Sequence, residues 1–202
     1  MRKVLSLGAA AALSASALVA AEAGSFAVKF GAHVVDPKSD NGSLAGGALD
    51  VTIDDDIQPT VMIEYYVTQH VGLELIAATP FQHDVQLNGA QAATFKHLPP
   101  TISVQYHFGD GRVSPYLGAG LNYTLVFDEE TTGPLAGTEL SLSNSMGLAA
   151  HAGVDIRLSE KWDIGLDARW LDIDSDASVN GAEVGTVNVD PIAYGVYFQR
   201  RF

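Results

Sequence analysis

From Phe26 to Phe202 the chain reads as eight stretches in which apolar side chains recur at every second position. Phe26, Val28, Phe30, Ala32 and Val34 alternate with Ala27, Lys29, Gly31 and His33, and Val61, Ile63, Tyr65 and Val67 alternate with Met62, Glu64 and Tyr66. A period of two places alternate residues on opposite faces of a strand. The same pattern returns around residues 71–77, 101–108, 116–125, 146–157, 162–170 and 192–202. Each stretch is close to the length that a tilted strand needs to cross the hydrocarbon of a bilayer, roughly 9 to 11 residues. One face carries Lys, Glu, Asp and Arg and cannot meet lipid, so it points inward.

The connections between stretches alternate in length. Long segments at 36–57, 80–98, 127–141 and 174–186 are separated by short ones at 68–70, 109–112 and 158–160. Seven connections in this order predict an all-β fold, an eight-stranded antiparallel up-and-down transmembrane β-barrel with short periplasmic turns and long external loops. A soluble eight-stranded barrel also alternates, with its polar face outward. Arg2 and Lys3, the uncharged run 4–21 and the triplet Ala21-Glu22-Ala23 favour the membrane version, because together they form a signal peptide with a small-residue cleavage site at Ala23. The expected division is a cleaved leader, residues 1–23, and one barrel domain, residues 24–202.

The chain contains no Cys, so no disulfide braces an exported fold, and closure of the barrel must do so. Its formal net charge of −13 opposes binding to nucleic acid. The inward face is nearly balanced: Glu64, Glu74, Asp155, Asp163 and Asp167 against Lys29, Arg157, Arg169 and Arg201. Eight strands enclose an interior just wide enough for side chains. These nine groups are therefore expected to pair across the lumen and to exclude a wide aqueous pore.

The segments LELIAATPF (73–81), HLPPT (97–101), PYLGAGLNYT (115–124), DIDSDA (172–177) and VDPIAYGVYFQRRF (189–202) resemble the OmpW family of Gram-negative outer-membrane proteins, and the resemblance runs from Gly24 to Phe202. It implies location in the outer membrane, among lipid and lipopolysaccharide, and similarity to alkane-uptake proteins. The implied function is passive uptake of small hydrophobic solutes, with no enzyme chemistry and no cofactor. It also implies a C-terminal signal for the barrel-assembly machinery at Tyr194, Val196, Phe198 and Phe202, in which Arg200 departs from the usual aromatic. At the headgroup level an outward Arg costs only about 0 to 1 kcal/mol.

A hydrophobic solute needs an apolar pocket in the outer half of the lumen. Ile76, Ala78 and Leu171, with Leu44 and Leu49, are the candidates for lining it, with exit sideways between strands into lipid; the equal alternative is that these side chains simply fill the barrel. The resemblance implies a constriction between an aliphatic residue on strand three and a Trp on strand seven. Ile76 matches the first, whereas Arg169 stands in the place of the Trp and could pair with Glu74 or Asp167.

Other chemistry is thinly represented. Asp172, Asp174, Asp176 and Glu183 imitate part of a calcium loop, but Ala177 occupies the position that requires Gly. Asp54, Asp55 and Asp56 read as a solvated loop face. His97 and Ser103 are too far apart along one strand to act as base and nucleophile, and no G-x-S-x-G elbow occurs. The alternative to transport is a structural or receptor barrel whose external loops bind phage, bacteriocin or host surfaces.

Overall fold

The structure, a computed structural model, describes residues 21–202; nearly all of the expected leader, residues 1–20, lies outside the described residues. The chain passes in order through β1 (Phe26–Asp36), β2 (Ser43–Leu44), β3 (Leu49–Ile53) and β4 (Asp56–Tyr66). A tight turn leads to β5 (Val71–Ala78), the hairpin β6 (Phe81–Leu87) and β7 (Ala90–Leu98), and β8 (Thr101–His107). Next come the long β9 (Val113–Thr131), β10 (Leu140–Leu142) and β11 (Ser145–Arg157). The chain ends with β12 (Trp162–Leu171), the hairpin β13 (Asp174–Val179) and β14 (Ala182–Asn188), and β15 (Ile192–Arg201).

Eight of these strands close a barrel in the order β1, β4, β5, β8, β9, β11, β12, β15, all antiparallel. Closure is by β1 on β15, in a ladder from Ala27↔Arg201 to Asp36↔Ile192. At the end with the short turns, Phe202 N donates to Phe26 O at 2.9 Å and the two rings stack at 4.8 Å. The predicted parity holds on every stave. Phe30, Ile63, Leu75, Val104, Leu117, Leu148, Leu166 and Val196 are exposed on the outside, and the alternate residues are buried inside. The cation Arg200 lies outside at this rim, with its guanidinium 4.9 Å from the Phe202 ring centre and 5.6 Å from that of Trp162.

The long connections are not the irregular loops that the sequence suggests. β2, β3, β6 and β7 extend one side of the barrel as a sheet that reaches β9 through β7, and β10, β13 and β14 form a second sheet. Two Asn-Gly pairs explain this. Asn88-Gly89 and Asn180-Gly181 adopt positive φ (50° and 79°; 50° and 78°) and close two-residue hairpins between Leu87↔Ala90 and Val179↔Ala182. Positive φ at both central residues gives the turn whose twist matches that of the flanking strands.

Inside the barrel, glycines make room for large rings. A Cβ at Gly165 would collide with the Tyr197 ring, and one at Gly153 with that of Tyr116. Gly165→Ala is expected to lower stability by about 1–3 kcal/mol, because a fully buried ring must leave its position. The shift of the urea unfolding midpoint in detergent micelles measures it.

Candidate functional site

The lumen is organised by depth. At its middle, charged and phenolic side chains from all eight staves converge. Lys29 (β1) donates to Glu74 Oε2 (β5) at 2.6 Å and lies 3.0 Å from Glu64 Oε2 (β4). His107 (β8) donates from Nε2 to Glu64 Oε1 at 2.7 Å. On the opposite side Arg169 (β12) sends Nε to Asp167 Oδ1 at 2.7 Å and Nη2 to Glu74 Oε1 at 3.0 Å. Tyr116 (β9) donates to Asp167 at 2.9 Å, and Tyr197 (β15) donates to Asp155 (β11) at 2.6 Å, with 3.1 Å between the two hydroxyls. Lys29, Glu64 and Glu74 are completely buried. Charges taken out of water persist when each finds opposite partners and hydrogen bonds, as these do.

Toward the short turns, Asp163 accepts from Gln199 at 2.8 Å and from Arg201 Nη2 at 3.0 Å, and Arg157 Nε lies 3.7 Å from it. A pit of about 20 Å³ lies there, bordered by His107, Asp155 and Arg201. All nine inward charges named from the sequence thus sit within the barrel, six of them in the middle group and Arg157, Asp163 and Arg201 in the lower one.

Toward the outer end the structure places the candidate pocket residues in two cavities instead of one. The lower, of about 20 Å³, is bordered by Ile76, Ala78 and Leu171, and Arg169, His33 and Thr60 also line it. The upper, of about 190 Å³, takes Leu44 and Leu49 together with residues of β6, β7, β10, β13 and β14; every side chain lining it is Ala, Val, Leu or Phe. The single pocket expected from Ile76 to Leu49 is divided because four aromatic rings stand between its halves. Phe81 borders the lower cavity and Phe95 the upper. His97 packs against both, at 5.6 and 6.0 Å, and His83 packs against Phe95 at 5.5 Å.

The two histidines form a pair that the sequence did not reveal, with 3.0 Å between their Nε2 atoms. His83 Nδ1 lies 2.6 Å from the Asp54 carbonyl oxygen, which can only accept, so Nδ1 carries the proton and Nε2 receives one from His97. This hairpin stands beyond the hydrocarbon, since its outward residues are Gln82, Asp84 and Gln86. Burial pushes the His83 pKa below the ordinary imidazole value, against the opposing pull of the Asp54 carbonyl and the acids Asp54, Asp55 and Asp56, and burial with the neighbouring His83 pushes that of His97 well below it. Asp174 and Asp176 lie on β13, where Asp176 accepts from Thr186, and no group of three or more metal-ligating side chains occurs among the described residues.

Comparison with known proteins agrees with this architecture. The OmpW family pattern matches residues 22–202. Outer membrane protein W of Escherichia coli is 37% identical over 188 residues, covering 89% of this chain and 88% of that protein. The crystal structure of OprG from Pseudomonas aeruginosa superimposes with a TM-score of 0.80 at 33% identity, over 91% of this chain and 98% of that one. Outer membrane protein AlkL of Ectopseudomonas oleovorans is 27% identical over 161 residues, 74% of this chain and 69% of that protein. The barrel, its apolar belt and these likenesses together place the chain in the OmpW family of outer-membrane proteins.

Proposed function

We propose that this barrel passes small, uncharged hydrophobic molecules through the outer leaflet by way of its two outer cavities. The observation that carries the reading is the upper cavity, about 190 Å³ in volume and without a polar lining side chain. An apolar recess of this kind at a water-facing end favours an apolar occupant over water. The likeness to AlkL and the resemblance to alkane-uptake proteins support the same class of solute.

Passage straight through is opposed by the ion-paired layer from Lys29 to Asp155, which occupies the barrel middle. The exit is therefore lateral. The ladder between β5 and β8 ends at Ile76↔Thr101, and the next residues toward the outer end, Pro99 and Pro100, have no N–H to extend it. Ala77, on the lipid side, and Pro99 both border the lower cavity, so the wall is thin at this seam. Insertion through the C-terminal residues Tyr194, Val196, Phe198 and Phe202 by the barrel-assembly machinery belongs to the same proposal.

Naphthalene uptake by cells lacking the protein, cells expressing it and cells expressing Ala177→Phe tests the reading. Ala177 is fully buried and borders the upper cavity. Uptake is expected to rise with the protein and to return at least most of the way to background in the variant, with assembly checked by heat-modifiable gel mobility. Uptake indifferent to the protein defeats transport and leaves a receptor or structural barrel.

A further inference from the structure

Arg169 borders the lower cavity, is 3% exposed, and has one guanidinium nitrogen, Nη1, without a hydrogen-bond partner, while Nε and Nη2 are held by Asp167 and Glu74. A buried N–H donor left unmade is costly, and the cost is recovered by whatever acceptor reaches it. His33 borders the same cavity. Its Nδ1 is 2.8 Å from Thr60 Oγ1, and its Nε2 is also without a hydrogen-bond partner, 3.6 Å from Asp167. The walls above are Val35, Ile76, Phe81 and Leu171. The lower cavity is therefore an apolar chamber with an unsatisfied polar floor. Its volume of about 20 Å³ suits one polar atom, since a water needs roughly 10–15 Å³ of such space.

Resting on the transport reading, we infer that Arg169 selects solutes, and that the preferred ones are neutral hydrocarbons carrying a single acceptor oxygen, such as aldehydes and ketones. An anionic head is disfavoured because Arg169 already serves two carboxylates, and Glu64, Glu74 and Asp167 outnumber Lys29 and Arg169 around it. A neutral carbonyl meets the free N–H without adding a third carboxylate.

The test compares naphthalene with 1-naphthaldehyde, which differ by one carbonyl group, in cells with and without the protein. The protein-dependent uptake ratio, aldehyde over hydrocarbon, is expected to fall about tenfold in Arg169→Lys, which keeps the charge for Glu74 and Asp167 but loses the forked donor. An unchanged ratio in the assembled variant overturns the inference while naphthalene uptake by the wild type leaves the transport reading standing. If neither solute depends on the protein, transport itself fails and the inference with it. Should Arg169→Lys not assemble, the wild-type barrel in micelles with ¹⁵N-labelled arginine decides. A shift of the Arg169 Nη resonance with 1-naphthaldehyde and not with naphthalene supports the inference, and no shift with either overturns it.

Discussion

Lys29→Met is expected to destabilise the barrel by about 3–5 kcal/mol, the usual cost of removing one partner from a buried ion pair. Glu64 and Glu74 are directly opposite each other on β4 and β5, and both are completely buried. Lys29 lies between them at 3.0 and 2.6 Å, so its loss leaves two carboxylates facing across a ladder with only His107 and Arg169 to compensate. Like charges at such a position repel. Urea unfolding in micelles, followed by tryptophan fluorescence, gives the loss. Adding Glu64→Gln to the variant is expected to recover part of it, because the repulsion is then gone; no recovery would mean that packing of the lysine stem, not charge, is what matters there.

Acid is expected to open the outer hairpin. Unfolded histidines titrate near 6.5, whereas His83 and His97 are held lower in the folded protein. Between 6.5 and those lowered values the unfolded segment binds more protons than the folded one, so stability falls as the pH drops and is constant above 6.5. The slope reaches about 1.4 kcal/mol per pH unit for each histidine. A proton on His83 Nε2 would also set two N–H groups against each other across 3.0 Å. Amide hydrogen exchange of residues 81–98 at pH 5 and pH 7.5 measures the effect, and equal protection at both values after correction for intrinsic rates would refute it. In His97→Phe, which has no proton to gain, the difference should shrink.

The barrel was legible in the sequence because the membrane imposes a strict rule on it. A stave with lipid on one side cannot place Glu64 or Asp167 outward, so parity alone assigns the inside. Depth is another matter. Glu74 and Asp167 were both legible as candidate partners of Arg169, but that it meets the two at once depends on the registers of four ladders around the closed barrel, and no single segment records these. The outer cavity was legible only in part: Leu44 and Leu49 were named for it and line it, but the hairpin that completes its wall was not. Residues 81–98 alternate as clearly as any stave, with Phe81, His83, Val85 and Leu87 facing one way, and Asn88-Gly89 is a strong hairpin signal. Their position in a long connection outweighed that signal, so the pocket was drawn from the barrel and from Leu44 and Leu49 without the hairpin. The His83–His97 contact likewise follows from the hairpin, since these residues lie on facing strands.

β9 is 19 residues long, but its outward apolar positions end at Leu125. The remaining residues, Val126–Thr131, add roughly 20 Å of strand, or about 15 Å of height at the usual tilt. Ala93, at the wall of the upper cavity, pairs with Thr131 at the top of this extension. On the proposed transport route, the entrance stands at the level of the sugars and phosphates of lipopolysaccharide, above the acyl chains. Those hydrated, cross-linked groups are the layer that a greasy molecule crosses most slowly. On that route a chimney of this height spares the molecule only that stretch, and the acyl chains complete the journey from the proposed seam below.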